Sequence, residues 1–346
     1  MASSQAAEPT GAVTERPRKK RGLGKKILIA LLGLVLLLII AAGILIAVKP
    51  WAPDIVVTEA GPTGHRVTDS GMLANYYPAT APGPQPAVVI VGGSEGGLGR
   101  QVDRTAQALQ REGFSALALS YWGAEGQPQA MDALPVETFD TALEWLRTQP
   151  EVDPQKMAFV GTSKGGEAAM LMAARVPELK AVVGYVPSHV VWAGVNLREP
   201  WQQMTIGSTW SEGGQQLPYL PYTREFRGGP LVELYTKSLD GLPEHQDAII
   251  PVENSNAELL LVCGEQDQLW PSCPMAREVQ QRAEERGGPE VTLLAYPDAG
   301  HLISGPPADP GHDFDPSTMG GTVEGGNAAL SDSWPKVVDF LKTNVQ

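Results

Sequence analysis

The stretch that most constrains this chain is Lys156-Met-Ala-Phe-Val-Gly-Thr-Ser-Lys-Gly-Gly-Glu167. Met157 to Val160 is a short apolar run suited to a buried strand. Glu167 to Arg175 is rich in small, helix-favouring residues. Between them stands Gly161-Thr-Ser-Lys-Gly165, a G-x-S-x-G pattern. A strand that turns this sharply into a helix strains the backbone of the central serine, so the residues two before and two after it must be tiny. Such a turn lifts the Ser163 hydroxyl clear of a sheet and aims the next N–H, that of Lys164, at any negative charge developing beside it.

If Ser163 is a nucleophile, it needs a base and an acid from later strand ends. Glu258-Leu-Leu-Leu-Val-Cys263 reads as a strand followed by Gly264-Glu-Gln-Asp267, and Val291–Tyr296 as a strand followed by Pro297-Asp-Ala-Gly-His301. Asp267 and His301 thus lie just beyond strand C-termini, the edge where sites form on α/β sheets. The chain order Ser163, Asp267, His301 is that of α/β-hydrolases. His301 would take the serine proton, and Asp267 would fix its tautomer. His65, His189, His245 and His312 are the other histidines, with His312 held in reserve; Glu265 and Asp298 are the rival acids.

Ala87-Val-Val-Ile-Val91 is a further buried strand, followed by Gly92-Gly-Ser-Glu-Gly-Gly-Leu-Gly99. The glycine spacing is wrong for a dinucleotide fingerprint. Set after a central strand, the loop can supply the second oxyanion donor, with Glu95 or Gly96 as the expected residue. Helices are expected over Gln101–Glu112, Val136–Thr148, Pro274–Arg286 and Leu330–Asn344. Strands are expected at Ser115–Ser120 and Lys180–Tyr185, with one or two short strands within Ile55–Tyr77, of which Ile55–Thr58 is the clearest. This alternation predicts a mostly parallel sheet with helices on both faces. Residues from 187 to about 250 break the rhythm with Trp, Tyr, Pro and Gly, and read as a cap inserted over the site.

The N-terminus is of another kind. Residues 1–26 form a polar tail with seven Lys and Arg, and residues 27–48 are 22 uncharged Ile, Leu, Val, Ala and Gly. At about 1.5 Å per residue this run crosses a hydrocarbon core of about 30 Å. A cleaved signal usually has an apolar region of only about 7–15 residues. An uncleaved single-pass anchor of a plasma membrane is therefore expected, with the basic tail cytoplasmic and the catalytic domain outside. Residues 49–86 would be linker and leading strands, and 87–346 the catalytic domain. Of 26 basic and 39 acidic residues, eight basic and two acidic lie in residues 1–50, leaving 18 against 37 beyond them. That acidic surface argues against nucleic acid as a partner. No metal-ligand cluster stands out, and no cofactor is expected. Cys263 and Cys273, the only cysteines, bracket the acid loop. They would either pair outside the membrane or remain unrelated buried thiols.

From about Ala79 onward the chain resembles the C-terminal catalytic domain of the acyl-CoA thioesterase / bile acid-CoA:amino acid N-acyltransferase family, relatives of the dienelactone hydrolases. The resemblance rests on Val91-Gly-Gly-Ser-Glu-Gly-Gly97, Ala116-Leu-Ala-Leu-Ser-Tyr121, Gly161-Thr-Ser-Lys-Gly-Gly-Glu167 and Pro187-Ser-His-Val-Val-Trp192. It extends through Ile250-Pro-Val-Glu253, Gly264-Glu-Gln-Asp-Gln-Leu-Trp-Pro-Ser272, Ala299-Gly-His-Leu-Ile303 and Asn327-Ala-Ala-Leu-Ser-Asp-Ser-Trp334. It implies an α/β-hydrolase fold, a Ser163, Asp267, His301 triad, and a small acyl ester or thioester as substrate. Two departures stand out: residues 50–86 are too few for the β-sandwich that often precedes this domain, and the nucleophile position is serine, whereas transferase members carry cysteine. Serine favours hydrolysis over transfer to an amine. The expectation is a membrane-anchored thioesterase-like serine hydrolase. A carboxylesterase or dienelactone-hydrolase-like enzyme, an acyltransferase and a non-catalytic tethered module are the alternatives.

Overall fold

The computed structural model describes Gly11 and residues 23–203, 205–308 and 315–345, which fall into two compact units with a boundary after Trp51. The first holds helix α1 (Leu23–Val48). Within it, Gly24–Val48 is long and apolar enough to cross a membrane, with a mean hydropathy of 3.2.

In the second unit the chain runs β1 (His65–Val67), β2 (Leu73–Tyr77), β3 (Gln85–Val91), α2 (Arg100–Arg111), β4 (Ser115–Ser120), β5 (Leu134–Pro135), α3 (Glu137–Arg147), β6 (Val152–Thr162) and α4 (Lys164–Arg175). It continues through β7 (Leu179–Tyr185), β8 (Trp210–Glu212), β9 (Gln215–Gln216), α5 (Leu231–Leu239), β10 (Glu258–Gly264), α6 (Ser272–Arg286), β11 (Val291–Tyr296) and α7 (Val323–Val345). Eight strands form one sheet in the order β1-β2-β4-β3-β6-β7-β10-β11. The pairings of β1 with β2 and of β2 with β4 are antiparallel, and the rest are parallel.

The strands read as unbroken apolar runs because both sheet faces are covered. Successive residues point to opposite faces. Val89, Val91, Leu117, Leu119, Phe159, Val182, Leu259 and Leu261 pack with residues of α3, α4 and α6. Their neighbours Val88, Ile90, Ala116, Ala118, Val160, Val183, Leu260 and Val262 pack with residues of α2 and α7. The central strand is β6, between β3 and β7, and its C-terminal end carries Ser163.

Two elements differ from expectation. Ile55–Thr58 is not a strand: only Val57 makes a bridge, to Leu98, with Leu98 N donating to Val56 O at 2.8 Å and Thr58 N to Leu98 O at 2.9 Å. The sheet edge it might have extended is taken by β1 and β2. Helix α7 begins at Val323, well before Leu330, and contains Gly325, Gly326 and Pro335. Packing overrules propensity here: a Cβ on Gly325 would lie 2.2 Å from the Asp298 carbonyl oxygen.

Residues 187–250 hold β8, β9, α5 and three short 3-10 turns, and β5 joins β8 and β9 in a three-stranded sheet. Their core is aromatic. Trp192 stands edge-on to Tyr235 at 4.9 Å, Tyr235 to Trp270 at 5.6 Å, and Trp270 to His301 at 6.0 Å.

Candidate active site

Ser163 joins β6 to α4 with φ 57° and ψ −118°, a positive-φ backbone that an L-residue holds only under constraint. Its N–H donates to Tyr185 O at 2.9 Å, and its carbonyl accepts from Glu167 N at 2.9 Å. The flanking glycines are obligatory. A Cβ on Gly161 would come within 1.9 Å of Gly165 O, and one on Gly165 within 2.2 Å of Gly92 O. The small-residue rule read from the sequence is thus a direct steric requirement.

Three side chains from three strand ends meet. Ser163 Oγ lies 3.0 Å from His301 Nε2, and His301 Nδ1 lies 2.8 Å from Asp267 Oδ2. The other Asp267 oxygen accepts from Leu269 N at 2.9 Å and Trp270 N at 3.2 Å. All three residues are buried. With one acid oxygen anchored by two N–H groups, the other is free to hold the imidazole in the tautomer that offers Nε2 to the serine.

The alternatives sit elsewhere. Glu265 is exposed and pairs with Arg277; Asp298 is exposed, 3.4 Å from Gln266 Nε2. His65 is exposed, His189 is buried and lines a separate cavity with Ile250 and Arg282, His245 is half-buried at the N-cap of a 3-10 turn, and His312 lies outside the described residues.

The loop after β3 is held from beyond its own sequence. Tyr121 OH donates to Gly92 O at 3.0 Å and to Gly93 O at 3.2 Å, and Trp122 Nε1 donates to Gly93 O at 3.1 Å. The described residues contain no cis peptide bond. The trans Gly93–Ser94 unit therefore turns the Ser94 N–H away from those two donors. Ser94 lines the same cavity as Ser163 and Lys164. Gly96 instead packs against Trp122 and Ile55, and the Glu95 carboxylate folds back to accept the Gly93 N–H at 3.0 and 2.9 Å. Of this loop Ser94 lines the serine's cavity, whereas the expected Glu95 and Gly96 face other partners. Sequence spacing alone could not find it, because donors from β4's end orient the peptide.

A second support was also missed. Met319 O accepts from Gln268 N at 3.1 Å and His301 N at 3.3 Å, so one backbone turn braces both the acid and histidine loops. That turn uses Gly320 at φ 100°, where a Cβ would lie 2.0 Å from Gln266 O. The Gly320-Gly321 pair was its signal.

Beneath the serine lies a buried ion pair. Lys164 Nζ donates to Glu167 Oε2 at 3.0 Å and to Thr209 Oγ1 at 2.9 Å, while Glu167 Oε1 accepts from Trp192 N at 3.0 Å and Trp210 Nε1 at 2.9 Å. Burial pushes the lysine pKa down and the glutamate pKa up, and their mutual attraction opposes both shifts. Cys263, in β10, is joined by a disulfide to Cys273 in α6, closing the loop that carries Asp267.

The cavity above Ser163 is about 710 Å³, within the usual size of small-molecule sites. Its walls are mainly apolar, among them Met131, Val195, Ile206, Leu234 and Trp270, with Arg224 as a cation besides Lys164. Among the described residues no cluster of His, Cys, Asp and Glu could hold a metal ion.

A mostly parallel sheet sandwiched by helices, a serine on a strained strand-to-helix turn, and histidine and aspartate on later strand ends define an α/β-hydrolase. A solved structure from Klebsiella pneumoniae, assigned as a dienelactone hydrolase, shares the fold at a TM-score of 0.51 with 17% identity, over 81% of this chain and 97% of that one. Residues 134–346 match the BAAT / acyl-CoA thioester hydrolase C-terminal model, and the chain belongs to that family. Rat mitochondrial acyl-coenzyme A thioesterase 2 is 27% identical over 288 residues, 80% of this chain and 59% of its own length. Human acyl-coenzyme A thioesterase 1 is 31% identical over 225 residues, 65% of this chain and 50% of its own. The chain thus spans half to three fifths of these relatives' length.

Proposed function

We propose that the protein is a membrane-anchored serine hydrolase that cleaves an acyl thioester or ester through an acyl-enzyme. The observation that carries this reading is the hydrogen-bonded chain from Ser163 Oγ through His301 to Asp267 at one end of a largely apolar cavity. In this mechanism Ser163 Oγ attacks the acyl carbonyl as His301 Nε2 takes its proton. The N–H groups of Lys164 and Ser94 donate to the developing oxyanion. Collapse expels the thiol or alcohol, protonated by His301. Water, deprotonated by the same imidazole, then releases the acid. The cavity would hold the acyl chain.

Residues 24–48 would be the anchor, in a plasma membrane with the basic tail cytoplasmic and the catalytic domain outside. The paired cysteines support an oxidising exterior. A carboxylesterase acting on uncharged leaving groups is the second reading. It is favoured by the 18 basic against 37 acidic residues beyond residue 50, since coenzyme A is a polyanion. The thioesterase relatives favour the first reading.

One panel tests both. Hydrolysis of acyl-CoAs is compared with that of p-nitrophenyl acyl esters, alongside covalent labelling by a fluorophosphonate probe. Thioester hydrolysis is expected from the first reading and ester hydrolysis alone from the second. A folded protein that neither labels nor hydrolyses would overturn both. Transfer of the acyl group to an added amine in preference to water would point to an acyltransferase.

A further inference from the structure

The cavity walls continue outward into an apolar rim. Leu197 and Leu231 line the cavity, yet are 39% and 46% exposed. Trp201 is 52% exposed, on the 3-10 turn Pro200–Gln202. That turn is tied beside Leu197: Asn196 Nδ2 donates to Gln202 Oε1 at 3.1 Å. Exposed leucines at a cavity mouth, with an exposed tryptophan on the turn next to the cavity-lining Gln203, mark a surface that meets something apolar. Tryptophan is the side chain most at home where hydrocarbon meets water.

The tether says what that apolar phase is. Helix α1 ends at Val48, and Val56 O accepts from Leu98 N at 2.8 Å, which fixes the chain to the catalytic unit at that point. The seven residues between, 49–55, span at most about 25 Å fully extended. An α/β unit of residues 52–346 is wider than that, with a diameter of about 50 Å. If α1 crosses a bilayer, the catalytic unit never leaves reach of the lipid surface.

We propose that the rim formed by Leu197, Trp201 and Leu231 dips into the lipid surface, so that an acyl substrate dissolved in the bilayer passes into the cavity without crossing bulk water. The proposal rests on the anchored-hydrolase reading above and adds the source of the substrate to it. Arg224, exposed and also lining the cavity, stands where it can meet a lipid phosphate.

The test uses the full chain in phosphatidylcholine vesicles. Two substrates are compared: p-nitrophenyl palmitate dissolved in the bilayer and water-soluble p-nitrophenyl acetate. Trp201→Ser is expected to lower hydrolysis of the palmitate about tenfold through its apparent KM, the effect of losing one large interfacial side chain, with the acetate rate unchanged. A parallel measurement needs no turnover. Brominated lipids should quench a fraction of wild-type tryptophan fluorescence that Trp201→Phe lacks.

Equal losses on both substrates, or equal quenching in wild type and Trp201→Phe, would overturn the proposal. Cross-linking of Trp201→Cys between two chains would overturn it in favour of a second copy as the occupant. Failure to float with vesicles removes the anchor and the proposal with it. Failure to hydrolyse either substrate removes the ester-hydrolase reading alone, and quenching still decides whether the rim docks.

Discussion

Ser163 occupies a backbone conformation held by its Tyr185 and Glu167 hydrogen bonds and by two glycines that admit no Cβ. Ser163→Ala keeps all of these, since only Oγ is lost. Hydrolysis and fluorophosphonate labelling should fall by about 10³-fold or more with no change in Tm; retained turnover in the folded variant would remove the serine from the mechanism. Tyr121→Phe tests the loop opposite. Its ring packs against Phe139 at 5.4 Å and should remain, while the hydroxyl that holds Gly92 O and Gly93 O disappears. With Ser94 N–H less firmly aimed, kcat should drop by about tenfold at nearly constant KM. At this scale the serine, aspartate and histidine were legible, because each follows a clear apolar strand and needs only its own strand end to be positioned. Ser94 was not, because its peptide is oriented by Tyr121 and Trp122, some 28 residues away.

Helix α4 is fastened to the 187–250 segment by the Lys164–Glu167 pair and its Thr209, Trp192 and Trp210 partners. Removing one charge strands the other in an apolar setting. Glu167→Leu alone should cost about 3–5 kcal/mol in urea unfolding, and Lys164→Met added to it should recover part of that loss. Strictly additive costs would mean the pair is not coupled. The Cys263–Cys273 bridge closes a short loop around Asp267. By loop-closure entropy it contributes roughly 2–3 kcal/mol at most. Reductant should lower Tm, and thiol counting on non-reduced, denatured protein should find no free thiol.

Strands β3, β4, β6, β7, β10 and β11 of the main sheet were readable because six to eleven apolar-rich residues carry a signal. Strands β5, β8 and β9, of two or three residues each, carry none, and only partners distant in sequence make them strands. Ile55–Thr58 failed for the opposite reason: a good local pattern met a sheet edge already filled.

The molecule as a whole should lose stability in mild acid. His189 is 5% exposed, and burial, with the Arg282 charge adding to it, brings its pKa down to about 4 from 6.5. The folded form therefore resists a proton that the unfolded chain takes up. Its contribution is fully present above pH 6.5 and is lost as pH falls towards 4, about 3 kcal/mol in all. Urea midpoints measured from pH 7 to 4.5 should fall, and in a folded His189→Gln variant they should fall less.

The seven-residue connection after α1 has a kinetic consequence. If α1 is the anchor proposed above, an enzyme leashed within about 25 Å of a bilayer meets its substrate in a thin shell, where the linker sets an effective concentration independent of assay volume. Diluting the vesicles would leave its turnover unchanged. Diluting the substrate with inert lipid, at constant molarity, would slow it. For such a catalyst the meaningful unit of substrate is mole fraction in the surface, and the lipid composition of the host membrane becomes a rate constant in its own right.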